Sequence, residues 1–140
     1  MSEPGCTFCT IIAGALPAAT VLRDDGAVAF LDARPVFKGH VLVVPRAHVP
    51  TLAELPAADI GAFFGTVQAI ARAVEAGLGA DGTFVALNNK VSQSVPHLHV
   101  HVIPRRRKDG LRGFFWPRVR YDSDAELDDF AARIRAALVP

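Results

Sequence analysis

The 140-residue sequence has no apolar run near the roughly 18 residues that cross a bilayer, so no membrane partner is expected. Its opening stretch, MSEPGCTFCT, lacks a basic segment followed by an apolar one. No secretory leader is therefore expected, and a cytoplasmic location is the default. An excess of one charge is also missing. The net charge is +1 with 21% charged residues, so any anion must be held by a local site and not by the overall field. There are two cysteines, Cys6 and Cys9, too few for a disulfide scaffold. Spaced Cys-x-x-Cys in a reducing compartment, they point to metal or redox work. There is no internal repeat and no low-complexity linker. With 51% apolar residues, the length suits one domain, residues 1–140, with a real core.

Periodicity places the elements. Residues 7–13 read as a short helix that Gly14 ends. VLRDDGAVAFLD reads as two strands turning at Asp25–Gly26. Asp32 to Lys38 is a loop, and HVLVVP from His40 is a strand ended by Pro45. Residues 56–77 form the main helix, with Ile60, Phe63, Phe64, Val67, Ile70, Ala71 and Val74 at helical spacing and Gly77 and Gly79 stopping it. FVALN is a strand, NKVSQS a loop, and HLHVHVI a strand bounded by Pro96 and Pro104. Ser123 to Leu138 is a second helix that opens on a capping box, Ser123 with Glu126, and lines Leu127, Phe130, Ile134 and Leu138 on one face. The expected fold is α+β, about five short strands, mostly antiparallel, with two helices.

The stretch SVPHLHVHVIP carries three of the five histidines. Alternation along a strand sends Leu98, Val100 and Val102 to one face and His97, His99 and His101 to the other. A plain polar outer face would be served equally by Thr, Ser or Lys. One metal ion on all three histidines is disfavoured by reach: same-face neighbours stand about 6.6 Å apart and the outer pair about 13 Å, against metal–nitrogen bonds of about 2 Å. A divided row fits better, with one end on a metal and the rest on a phosphate. Asn88, Asn89, Gln93 and Ser94 in the preceding loop supply side-chain donors suited to phosphate oxygens. A neutral imidazole is a competent nucleophile at phosphorus.

His-x-His-x-His followed by two apolar residues is the histidine-triad signature. Phe8, AFLD, KGHVLVVPRAH and QSVPHLHVHVIPR extend the likeness over roughly residues 5–105. The sequence resembles the histidine-triad (HIT) family, in its nucleotide-binding hydrolase branch of zinc-containing bacterial type. The resemblance implies that His99 attacks the α-phosphate of a purine nucleotide, forming a nucleotidyl-histidine that water hydrolyses to a nucleoside monophosphate, AMP or GMP. It places His101 on the α-phosphate, His40 near the phosphates, Asn88, Gln93 and Ser94 among the phosphate contacts, and Asp32 on the ribose hydroxyls. Phe8, Ile11 and Phe30 would line the base pocket, with core packing as the alternative. Asn89 competes with Asn88 for the asparagine role, and Ser92 stands where glycine is usual.

The same resemblance implies a structural zinc held by Cys6, Cys9, His48 and His97. A redox pair and inert thiols are the alternatives. It further implies phosphoramidates or dinucleoside polyphosphates as substrates and a two-fold homodimer with the Gly61–Val74 helix as a candidate surface. Nucleic acid is not expected as a partner, since no second cysteine pair exists for a further finger. Residues 105–120, with seven Lys or Arg and with Phe114, Phe115 and Trp116 interleaved, read as a solvated loop or a lid over the leaving group. The alternative to an enzyme is a nucleotide-binding module with little turnover.

Overall fold

The computed structural model describes residues 2–111 and 118–138. The chain divides into two compact units, Met1–Asp109 and Gly110–Pro140. The first holds a short helix α1 (Thr7–Ile12), strands β1 (Thr20–Arg23), β2 (Ala27–Leu31) and β3 (Val41–Pro45), a 3-10 turn (Leu52–Glu54), the long helix α2 (Ala57–Leu78), and strands β4 (Gly82–Ala86) and β5 (Val100–Arg105). The strands form one sheet in the order β1-β2-β3-β5-β4, antiparallel at every pair. The architecture is α+β, as expected, with three helices once α1 is counted.

Pleating sorts the side chains. Ala27 and Ala29 of β2, Val41 and Val43 of β3, and Val100 and Val102 of β5 face α2, whose Phe63, Val67, Ile70 and Val74 close that core. Ile60, expected on this helical face, is 43% exposed instead, because the helix begins beyond the sheet's cover. Gly77 lies inside α2, and Gly79 ends it in the left-handed conformation at φ 60°. On the other face Val28, Phe30, Leu42 and Val44 pack against Cys6, Phe8, Cys9 and Ile11 of the α1 segment. The β1–β2 turn is held by Asp24, whose Oδ1 accepts from the amides of Gly26 and Ala27 at 2.8 and 2.7 Å.

The histidine strand starts later and ends later than its letters suggest. Sheet pairing begins at Val100, while His97–His99 lead in, held by the Leu98 amide donating to the Val49 carbonyl at 2.7 Å. Pro104 lies within β5 because β3 pairing stops at Val102, so no ladder bond requires its missing N–H.

The second unit contains helix α3 (Asp124–Ala137), capped by Ser123 Oγ accepting from the Glu126 amide at 3.1 Å. Leu127, Phe130 and Ile134 on it, and Leu138 at its end, are exposed. Phe114, Phe115 and Trp116 lie outside the described residues. Among the described residues no helix is long and apolar enough to cross a membrane.

Candidate functional site

Register decides which residues meet. His101 pairs with Leu42 across β3 and with Ala86 across β4, so it shares the α1 face of the sheet with Leu42 and Phe30. His97 and His99 continue that face although they precede the ladder, and both are buried, at 0% and 4% exposure. Their cover is Phe8, whose ring centroid lies 5.0 Å from that of His99 and 5.9 Å from that of His97, edge to face in both pairs. Phe30 meets Phe8 at 5.5 Å, and Ile11 fills the same cluster.

Hydrogen bonds define the protonation of four rings, because a neutral imidazole donates from one nitrogen and accepts at the other. His99 Nδ1 lies 2.7 Å from the His97 carbonyl, which only accepts, so Nδ1 carries the proton and Nε2 keeps a lone pair. His97 Nε2 lies 2.8 Å from the Pro45 carbonyl, which leaves the His97 lone pair on Nδ1. His40 Nδ1 accepts from the Val36 amide at 3.1 Å, so its proton is on Nε2, 2.9 Å from His101 Nδ1. His101 therefore carries its proton on Nε2. Burial pushes the His97 and His101 pKa values down to about 4, with neighbouring imidazoles adding to it; the Pro45 carbonyl opposes the shift at His97 and Asp32 opposes it at His101. Burial also lowers His40, against the pull of Asp32, whose Oδ2 is 3.8 Å from Nε2. These three rings are neutral at pH 7.

Among the described residues, two groups of potential metal ligands lie on this face: Cys6, Cys9, His48 and His97, and Asp32, His40 and His101. They differ in fit. Bond lengths of about 2.3 Å to sulfur and about 2.05 Å to nitrogen in a tetrahedron require edges of about 3.3 Å (N–N) and about 3.6 Å (N–S). The observed edges are 3.2 Å between His48 Nδ1 and His97 Nδ1, 3.6 Å from His97 Nδ1 to each sulfur, and 3.4 Å from His48 Nδ1 to Cys9 Sγ. The surroundings agree with thiolate ligands: the Cys9 amide donates to Cys6 Sγ and the Glu3 amide to Cys9 Sγ, each at 3.4 Å. His97 also donates its far N–H to a carbonyl, as metal-binding histidines do. In the second group the Val36 amide occupies His40 Nδ1, so the proton that blocks coordination sits on Nε2, the nitrogen facing His101 and Asp32. The first group fits a tetrahedral ion and the second fits a hydrogen-bonded pair.

The loop before the triad divides its polar residues between two tasks. Asn89 Oδ1 accepts from the Leu52 amide at 2.9 Å, and Gln93 bridges the Lys90 amide and the Pro50 carbonyl at 2.8 and 2.6 Å. Both brace the loop. Asn88 is exposed, its Nδ2 donating to the Ser92 carbonyl at 3.2 Å, and Ser94 is exposed. Ser92 adopts φ 59°, the conformation a glycine takes freely. The groups that the letters could not mark are backbone ones: the carbonyls of Pro45 and His97 and the amide of Val36. A main-chain group has no identity in the alphabet, so only the fold reveals it.

A family model described as HIT domain matches residues 13–108. An uncharacterized HIT-like protein of Mycobacterium tuberculosis is 40% identical, covering 86% of this chain and 85% of that protein. An adenosine 5'-monophosphoramidase of Schizosaccharomyces pombe is 32% identical over 80% of this chain and 83% of its own length. An asymmetrical bis(5'-nucleosyl)-tetraphosphatase of the same organism is 34% identical over 62% of this chain and 49% of its own. Among solved structures, a HIT family member from Bacillus subtilis superposes with a TM-score of 0.88 at 35% identity, covering 97% of this chain and 99% of that one. A zinc-bound histidine triad family protein from Mycobacterium smegmatis gives 0.73 at 36%, covering 96% and 98%.

Proposed function

Since the chain belongs to the HIT domain family, we propose that it is a nucleotide hydrolase that cleaves at the α-phosphate, with His99 as nucleophile and His101 as the α-phosphate contact. The observation that carries this is the 2.7 Å bond from His99 Nδ1 to the His97 carbonyl, which points the proton away and leaves Nε2 free to attack. In the first step the Nε2 lone pair forms a bond to the α-phosphorus as the bond to the leaving group breaks. The leaving group departs with the bonding pair and is protonated from water where its basicity requires it. The positive charge on the His99 ring is shared with the His97 carbonyl through Nδ1–H. In the second step water attacks phosphorus, the P–N bond breaks, the proton leaves to solvent, and a nucleoside monophosphate is released. His101, neutral with its proton on Nε2, donates a hydrogen bond to a phosphate oxygen throughout.

Asn88 and Ser94 supply further donors, which their exposure supports, while Gln93 serves by bracing the loop. Asp32, with Oδ1 accepting from the Arg34 amide at 2.9 Å, offers Oδ2 to the ribose hydroxyls. Phe8, Ile11 and Phe30 give an apolar wall for a purine. His40 supports His101. Cys6, Cys9, His48 and His97 would hold a zinc ion, with which their edge lengths agree. With four protein ligands such an ion would be structural and would fasten the α1 segment to the sheet. A two-fold homodimer belongs to the same reading, with the Gly61–Val74 stretch of α2 as its candidate surface.

The names of the two fission-yeast relatives indicate the substrates to try. Wild type and His99→Ala are incubated with adenosine phosphoramidate and with diadenosine tetraphosphate, and AMP is quantified. Release by wild type that falls by more than about 10³-fold in the variant is expected for a lost nucleophile. Binding of AMP without release from either compound refutes the hydrolase reading and leaves a binding module.

A further inference from the structure

His40 is 3% exposed, lies in neither the Cys6–Cys9–His48–His97 group nor the phosphate loop, and has both ring nitrogens committed. We propose that His40 is a positioning residue that holds His101 in its Nε2–H tautomer, and that the backbone amide of Val36 fixes His40 in turn. The inference rests on the hydrolase reading for its consequence, though not for its geometry.

The Val36 amide is a group that cannot change its role. A peptide N–H only donates. At 3.1 Å from His40 Nδ1 it requires a lone pair there, so His40 Nε2 bears the proton. That proton faces His101 Nδ1 at 2.9 Å, where a second proton would leave two donors face to face inside a buried contact. His101 thus keeps its lone pair toward His40 and presents Nε2–H elsewhere. Flipping the His40 ring does not escape this, because it would turn a carbon toward the Val36 amide and forfeit the bond. The loop that carries the amide is closed on itself. The His40 amide donates to the Phe37 carbonyl at 3.0 Å, and the Asp32 amide to the His40 carbonyl at 2.9 Å. Asp32 Oδ2, 3.8 Å from His40 Nε2, further favours a proton at that nitrogen.

The chemical consequence follows from the direction of charge. A tetracoordinate phosphate already carries negative oxygens and gains charge on them during displacement, so a donor toward it is required and a lone pair would repel it. Free imidazole interconverts between tautomers, and only one of them is useful here. The Asp32–His40 loop thereby selects the useful form before substrate arrives.

The test uses the full chain with ¹⁵N-labelled histidine, reading tautomers from two-bond nitrogen–proton correlations near pH 7. His40 and His101 in wild type are each expected to show a pyridine-like Nδ1 and a pyrrole-like Nε2. In His40→Leu, His101 is expected to average between tautomers, and kcat for AMP release to fall by roughly tenfold or more with little change in KM. His40→Gln, which returns an amide donor near the Nε2 position, is expected to restore the His101 pattern and recover most of the lost kcat. An averaged or Nδ1–H His101 in wild type overturns the proposal. So does a His101 that stays purely Nε2–H in His40→Leu. If His40→Leu fails to fold, the wild-type and His40→Gln spectra decide the matter. The correct tautomers in a protein that hydrolyses neither compound would sink the hydrolase reading alone.

Discussion

His101 loses its charge to its surroundings. Burial, helped by His99 and His40, holds its folded pKa near 4, against the 6.5 of the free side chain, with Asp32 pulling weakly the other way. Between those values the unfolded chain binds a proton that the folded chain refuses, so stability drops as pH falls through the window and is fully kept above about 6.5. Urea midpoints measured at about pH 7.5 and about pH 5 are expected to separate more for wild type than for His101→Gln, whose side chain has no proton to gain. Equal separations would mean that His101 does not contribute to acid sensitivity. His97 is also held near 4, which keeps its Nδ1 lone pair available to a metal well below neutral pH. The thiol of Cys9 is pushed up by its burial, so filling that group must release protons.

At the scale of elements, the junction between the Asp32–His40 loop and β3 is the most constrained point near the site. Gly39 stands at φ +101°, and a Cβ built there would lie 2.3 Å from Leu78 Cδ1. The leucine methyl ends an exposed side chain that can swing aside, so the backbone conformation is the larger cost. Gly39→Ala is expected to destabilise the chain by about 1 kcal/mol or more and, being next to His40, to disturb the His40–His101 bond. Adding Leu78→Ala should recover little of that loss in a urea titration; full recovery would assign the cost to the clash. The neighbouring elements show how far the letters reach. Phe63, Val67, Ile70 and Val74 announced the buried face of α2 through spacing alone, and Ser123 with Glu126 announced the start of α3. Ile60 obeyed the same spacing and is exposed, because periodicity tells which side of a helix is apolar and not where its partner sheet stops. Pro104 looked like a strand end, since its letter does not record that β3 has already left the ladder.

Across the first unit as a whole, the sheet has two cores of different origin. The α2 face is continuous and built from aliphatic side chains and Phe63, with no histidine or cysteine among its buried members. The opposite face is closed by a six-residue helix, too short to be stable by itself, whose Cys9 and N-cap Cys6 belong to the group of potential metal ligands. Removing the ion is therefore expected to loosen one face and spare the other. Purified protein should carry about one zinc per chain, and Cys9→Ser should carry little. Chelated protein should lose amide protection over residues 6–12 and 97–99 while α2 keeps its own, with a melting temperature lower by roughly 5 °C or more. Uniform loss of protection would show that the ion supports the whole unit, and unchanged protection would remove it from the structural account.

The sequence by itself determined the class of fold and the alternation that separates Leu98, Val100 and Val102 from the three histidines, because those follow from side-chain chemistry and period; the family resemblance added Cys6, Cys9, His48 and His97 as candidate ligands. Tertiary structure decided the rest. It set the distances that bring Cys6, Cys9, His48 and His97 together, since these depend on where the α1 segment lands against the sheet. It decided that Asn89 accepts from the Leu52 amide and Gln93 reaches the Pro50 carbonyl while Asn88 donates within its own loop to Ser92, since the two asparagines are told apart only by their neighbours. It also assigned a proton to one nitrogen of each of four histidines, since the carbonyls and the amide that dictate this are main-chain groups brought within hydrogen-bond reach only by the fold.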